Sequence, residues 1–230
     1  MIPRTLSAVW FAVLAFVTAS CGDTEAPTSP SANQAPTISI SSSAAFGIAQ
    51  LTTFTFTASA SDPDGHPTSV TWTFSDGTTG GGTTVWKTFR AAGTIEAIAT
   101  ARDHLNATAT SNTVSIVVGT ATGDWNGTID LSSCDAGTKP VTATLAQSGS
   151  VVTGVINLAE GLCDATPSVA PIGAGDSGRI FGGGAVRLHA IVPASIDVWF
   201  EGQMDPTAMQ ITGTLQGMEP SGMPFTLTRQ

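Results

Sequence analysis

Proton transfer at neutral pH calls first on histidine, and the chain has three, His66, His104 and His189. His66 and His104 fall in turn-rich loops. His189 lies mid-strand between Leu188 and Ala190, facing either a lumen or solvent. No H-E-x-x-H, G-x-S-x-G or phosphate-cradling run occurs. Glu201 and Asp205 have the types for an acid–base pair, but no nucleophile or pocket-forming pattern accompanies them. Gly173-Ala174-Gly175-Asp176-Ser177-Gly178 resembles a catalytic or nucleotide loop on the surface. It follows no strand–helix unit, so it reads as a turn. The chain is expected not to be an enzyme.

The reactive atoms that remain are thiols. Arg4, then the apolar run Ala8 to Ala19, then Thr18-Ala19-Ser20-Cys21 have the order of an export signal ending in a lipobox. The apolar run is shorter than the roughly 20 residues needed to cross a hydrocarbon core. Residues 1–20 are therefore expected to be a lipoprotein signal peptide, and Cys21 the lipidation site; an ordinary secretory signal is the alternative. Residues 21–35 are polar and rich in Pro, Ser and Thr, as a flexible tether requires. With Cys21 acylated, Cys134 and Cys163 form an even pair in an oxidising compartment, and a disulfide is expected between them. Such a bridge contributes roughly 3–4 kcal/mol by restricting the unfolded chain.

Charge excludes one class of partner. Eight Lys and Arg against 17 Asp and Glu leave a net charge of −9, so phosphate-neutralising contacts to nucleic acid are not available in number. An acidic surface is also repelled by anionic headgroups, so membrane attachment would rest on acyl chains.

The elements that carry these residues are strands. Thr37–Ser41, Thr53–Ser59, Ser69–Phe74, Thr84–Phe89, Thr94–Ala101 and Asn112–Val118 are predicted strands of a first domain over 33–118. Phe54, Phe56 and Ala58 alternate with Thr53, Thr55 and Thr57, giving one apolar and one hydroxyl face. Asp62-Pro63-Asp64-Gly65 and Ser75-Asp76-Gly77-Thr78 are turn formers.

Four stretches in order resemble a PKD domain: Ser61-Asp62-Pro63-Asp64-Gly65, Trp72-Thr73-Phe74-Ser75-Asp76-Gly77-Thr78, Lys87-Thr88-Phe89 and Ala92-Gly93-Thr94. Asn33-x-x-Pro36 ahead of them fits too. Thr73 stands where the family has an acidic residue, and Ser75 where it has Gly. The resemblance implies an immunoglobulin-like β-sandwich that is not catalytic and serves as a spacer, adhesive unit or binder of glycans and proteins. Some relatives hold calcium, and the matching donors here are Asn33, Asp62, Asp64 and Asp103. Oxygen ligands suit Ca²⁺, but four are fewer than its usual six to eight. The alternative is that these side chains only close turns. No other cofactor is implied.

Residues 120–230 read as about eight further strands, Trp125–Ser132, Pro140–Ser148, Val151–Leu158, Ser177–Phe181, Ala185–Val192, Ser195–Met204, Met209–Gln216 and Met223–Thr228. Short turns between them predict an antiparallel up-and-down β-barrel. The triplets Gly80-Gly81-Gly82 and Gly182-Gly183-Gly184 are expected at hairpin tips. Gly123-Asp124-Trp125 at the start and Arg229 at the end resemble calycin barrels of the lipocalin and avidin type. There an Arg from the last strand covers the indole of the first and closes one end. Leu145-Ala146-Gln147-Ser148-Gly149-Ser150-Val151-Val152-Thr153-Gly154 is similar to a hairpin of small barrels in bacterial lipoproteins. Trp199, Phe200, Phe181 and Met209 would line either a ligand cavity or a plain core.

The expected protein is thus all-β and non-catalytic, lipid-anchored in a bacterial cell envelope, on the outer membrane facing periplasm or surface. Its expected partners are the membrane, through the N-terminal lipid, and surface glycans or proteins. The alternative is a carrier of a small apolar ligand in the barrel.

Overall fold

Alternation with a period of two decides the architecture, because each strand can bury only one face. The computed structural model describes residues 32–65, 68–134, 136–158, 162–163, 168–172, 178–192 and 196–230. Cys21, His66 and the signal and tether segments up to residue 31 lie outside them, as do residues 173–177 of the Gly173–Gly178 loop.

Two sheets form the N-terminal sandwich. One contains β1 (Thr37–Ser42), β3 (Thr53–Ser61) and β6 (Thr84–Thr88), in the order β1-β3-β6. The other follows the order β2-β9-β7-β4-β5, from β2 (Phe46–Ile48), β4 (Ser69–Phe74), β5 (Thr79–Gly81), β7 (Gly93–Arg102) and β9 (Val114–Gly119). β8 (Thr108–Thr110) pairs with β7 off that path. Phe54, Phe56, Trp72, Phe74 and Phe89 fill the space between the sheets. Phe56 meets Phe74 edge-on, with centroids 5.1 Å apart. The buried Trp72 ring satisfies its one donor on the Gly82 carbonyl at 2.8 Å.

Gly80 and Gly81 are not a hairpin tip. They form β5 and pair with Trp72 and Thr71 of β4. Glycine has no strand preference of its own, and here the neighbouring ladder imposes extension. Only Gly82, with φ of +93°, turns the chain.

The second half is a closed antiparallel barrel. Its strands are β10 (Gly123–Asp130), β11 (Thr138–Ser148), β12 (Val151–Leu158), β13 (Ser168–Ile172), β14 (Gly178–Ile180), β15 (Ala185–Val192), β16 (Ile196–Met204), β17 (Gln210–Gln216) and β18 (Met223–Arg229). Each strand pairs with its successor except β13 with β14, β18 returns to β10, and β11–β12 pairing closes the ring. β13 and β14 share one stave. Both pair with β12, β13 along Gly154–Leu158 and β14 at Val151. The nine strands of the sheet therefore make eight staves. Closure leaves no long edge to recruit another chain. A single 3-10 turn, Ser132–Cys134, is the helical structure among the described residues.

Inward residues pack the lumen. Trp125, Val152, Ile156, Phe200, Leu215 and Leu227 are each 0% exposed, so no water-sized void touches them. Outward positions are mostly polar, as in the alternating pattern of β11, with Val155 and Ile191 exposed apolar exceptions.

Sandwich and barrel share a core. Ile48, 1% exposed, belongs to the barrel's apolar cluster, and Phe46, Leu51 and Val117 pack against it. Thr52 Oγ1 donates to the Gly182 carbonyl at 2.6 Å across the junction.

Candidate functional site

The acidic loops of the sandwich fold in on the backbone. Asn33 Nδ2 donates to Asp103 Oδ2 at 2.7 Å. Asp103 Oδ1 accepts the amides of Leu105 and Ala107 at 2.9 and 2.8 Å. Asp64 takes the Gln34 amide at 2.6 Å and its side chain at 3.1 Å, and Asp62 Oδ1 takes the Asp64 amide at 2.9 Å. Asn33, Asp62, Asp64 and Asp103 thus close turns. Asn33 bonds Asp103, and Asp64 bonds Gln34 and Asp62, and no set of three acidic, His or Cys groups converges on a metal-sized site among the described residues. Calcium takes six or more oxygens, so these four side chains alone would not complete its shell. Burial pushes the Asp103 carboxyl up, but hydrogen bonds from Asn33, Ala107 and Leu105 more than offset this and hold it below the ordinary carboxylate range.

One end of the barrel is closed by a cation over an indole. Trp125 and Arg229 are cross-strand partners, and the Arg229 guanidinium lies 5.7 Å from the ring centroid. Its nitrogens also donate to the Thr120 carbonyl at 3.3 Å and to that of Thr122. Trp125 Nε1 donates to Ala121 at 2.9 Å. All these carbonyls belong to the joint between sandwich and barrel, so the pair fixes the joint as well as the barrel end. Gly123 is part of the same device, since a Cβ there would meet Arg229 Nη2 at 3.2 Å.

Gln147, in the Leu145 to Gly154 hairpin, holds the joint from the other side. Its Oε1 accepts the Ala121 amide at 2.8 Å and Thr120 Oγ1 at 3.0 Å; its Nε2 donates to Ala49 of the sandwich at 3.1 Å. That role was hidden in the sequence, although the Leu-x-Gln-x-Gly spacing signalled a built feature. Leu145 and Val152 supply core, Gly149 turns the chain at φ of +56°, and Gln147 is the pin.

The remaining chemistry-bearing side chains are dispersed. Cys134 and Cys163 form a disulfide with Cα atoms 5.8 Å apart. Glu201 pairs with Arg187 at 2.8 Å on the outer face of the barrel, while Asp205 caps its own turn through Thr207, Met209 and Gln210. They do not act as a pair. His189 also faces outward. Its ring stacks on Trp199 at 4.1 Å and meets Asp197 at 3.0 Å, with Arg187 4.1 Å from the same indole. Of the four candidate lumen residues only Phe200 is core; Phe181 and Met209 are 53% and 48% exposed, and Trp199 lies in this outer stack.

Two surface features of the sandwich have the form of binding sites. A cleft of about 430 Å³ runs beside Asp76, Thr78, Lys87 and Arg90. Lys87 bonds Thr78 and places its ammonium 4.8 Å from the Phe74 ring centroid, so this cation is already engaged. The other is the indole of Trp86, 67% exposed on β6.

The aromatic core, the Asp-closed loops and the Ser75–Asp76–Gly77–Thr78 turn are together the features by which a sandwich of this type is known. Residues 33–118 match the family model of the PKD domain. In this PKD segment the two departures are benign: Thr73 points to solvent, and Ser75 Oγ accepts the Glu96 amide at 3.0 Å. No curated protein matches the chain. Among solved structures, one described under the promiscuous specificity of carbohydrate-binding modules from the β-sandwich superfamily is 15% identical, covering 86% of this chain and 93% of its own, with a TM-score of 0.37. That likeness is too loose to bear on fold or ligand.

Proposed function

We propose that this is a lipid-anchored protein of a bacterial cell envelope that binds glycans or proteins and turns nothing over. The observation that carries this reading is the PKD match over residues 33–118, since modules of that kind act by presenting surfaces. Supporting it, the described inward side chains of the barrel form one buried apolar cluster, and the barrel holds the sandwich through it. A barrel of this kind serves as a rigid base. The order Arg4, apolar run, Cys21, polar tether supports acylation at Cys21, leaving the sandwich to face outward on a short leash. Two measurements test the reading. The full chain is expected in the membrane fraction and the Cys21→Ser chain in the soluble one; a variant that stays membrane-bound overturns the anchor. Arrayed glycans and envelope proteins are expected to retain the purified chain, and retention by neither class overturns the binding role.

A further inference from the structure

We propose that the outer face of the β1–β3–β6 sheet is a docking surface for neutral polysaccharide, with Trp86 as its stacking anchor. The inference rests on the binding role above and names the site and the ligand class.

The strand sequences are TISISS, TFTFTASAS and TVWKT. Every second residue points outward, and among those outward positions every side chain is Ser or Thr except Trp86. The one charged residue of the three strands, Lys87, turns to the other face and sits against Phe74 and Phe89. The register sets the indole beside Thr55, with Thr57 opposite Thr84 on one side and Thr53 opposite Thr88 on the other. Ser41 continues the row of Thr57 on β1. At strand and residue spacings the hydroxyl field is roughly 10 Å wide and 25 Å long.

The hydroxyls of Ser39, Ser41, Thr57 and Ser59 make no hydrogen bond within the protein among the described residues. Each can donate and accept, which matches a ligand whose own groups are hydroxyls. Without charge on the face, a polyanion or polycation gains nothing from it. A protein partner is a poorer fit. Protein interfaces are depleted of Ser at their cores, and Ser and Thr are under-represented among hot spots. An exposed indole offers an electron-rich face to the polarised C–H bonds of a sugar ring, and it costs little ordering because it has only two side-chain torsions. One aromatic anchor among neutral, two-way hydrogen-bonding groups is therefore complementary to an uncharged polysaccharide.

The test is affinity electrophoresis of the full chain in detergent, through gels holding hydroxyethylcellulose, soluble starch or alginate. Retardation by at least one neutral polymer is expected, unchanged from low to high salt. Trp86→Ala is expected to weaken it by about tenfold or more, and Trp86→Phe to restore part of it. Trp86 is on the surface, so both variants should melt with the parent. Equal retardation of parent and Trp86→Ala overturns the site. Retardation by alginate alone, or by no polymer, overturns the ligand class. If the arrays still show a protein partner, the binding role stands and only this inference falls; if they show nothing, both fall.

Discussion

Asp103 organises its loop by accepting hydrogen bonds. Its carboxylate is buried, at 4% exposure, and receives one side-chain and two backbone donors. Those bonds favour the charged form, so its folded pKa lies below the unfolded value. The folded chain then binds fewer protons than the unfolded chain. The stabilisation is complete above the ordinary carboxylate value of about 3.9 and is lost as pH falls through the folded value. Asp76 and Asp205 are depressed by their own turns as well. Thermal melts from neutral pH to pH about 3 should therefore fall steeply for the parent. Asp103→Asn should start lower at neutral pH and decline less steeply in acid. Parallel acid limbs would show that another group carries the linkage. Calcium is expected to shift neither melt, because no three ligating groups converge at Asp103 among the described residues; an upward shift would show that it binds.

At the scale of elements, close approach of strands depends on a few glycines. Gly154 lies inside β12 with φ of +141°, and a Cβ there would meet the Thr144 carbonyl oxygen of β11 at 2.0 Å. Neither the torsion nor the contact leaves room for a side chain. Gly154→Ala is expected to destabilise the fold by roughly 2–4 kcal/mol, from backbone strain and overpacking together. Chemical denaturation would measure this, and a loss under about 1 kcal/mol would mean that the stave shifts freely. Gly154 was legible as a bend within a strand pattern. So were most staves, because Phe54-Thr55-Phe56 or Val141-Thr142-Ala143 state which face is buried. What escaped had physical reasons. β13 carries Pro171, which weakens any strand signal. β2 and β8 are three residues long and extend only because β9 and β7 lie beside them. The Trp125–Arg229 pair was legible from the two ends of the barrel, whereas the Trp86 face was not. Its outward Thr and Ser read first as ordinary strand formers, and only the register shows them gathered around one indole.

For the whole molecule, the junction decides whether sandwich and barrel behave as two bodies or one. Ile48 leaves the sandwich to join the barrel's core, and Gln147 reaches from the barrel to the joint at Ala121 and to Ala49. Polar contacts alone would permit rocking, since inter-domain surfaces of modest size usually do. A shared apolar cluster with a hydrogen-bonded pin does not, because opening it exposes Ile48 and strands the Ala121 amide and Ala49 carbonyl. Calorimetry of the full chain is accordingly expected to show one cooperative transition. Gln147→Ala should cost about 1–3 kcal/mol by leaving those groups unpaired. In a unit of this size that lowers the transition by several degrees, at roughly 2–4 °C per kcal/mol. It should also broaden or split the transition as the sandwich begins to melt alone. Two separate transitions in the parent would contradict the shared core. Rigidity of this kind matters for a tethered binder: a sandwich locked to its base presents the Trp86 face at one orientation, so ordering it on an extended polymer costs little further entropy.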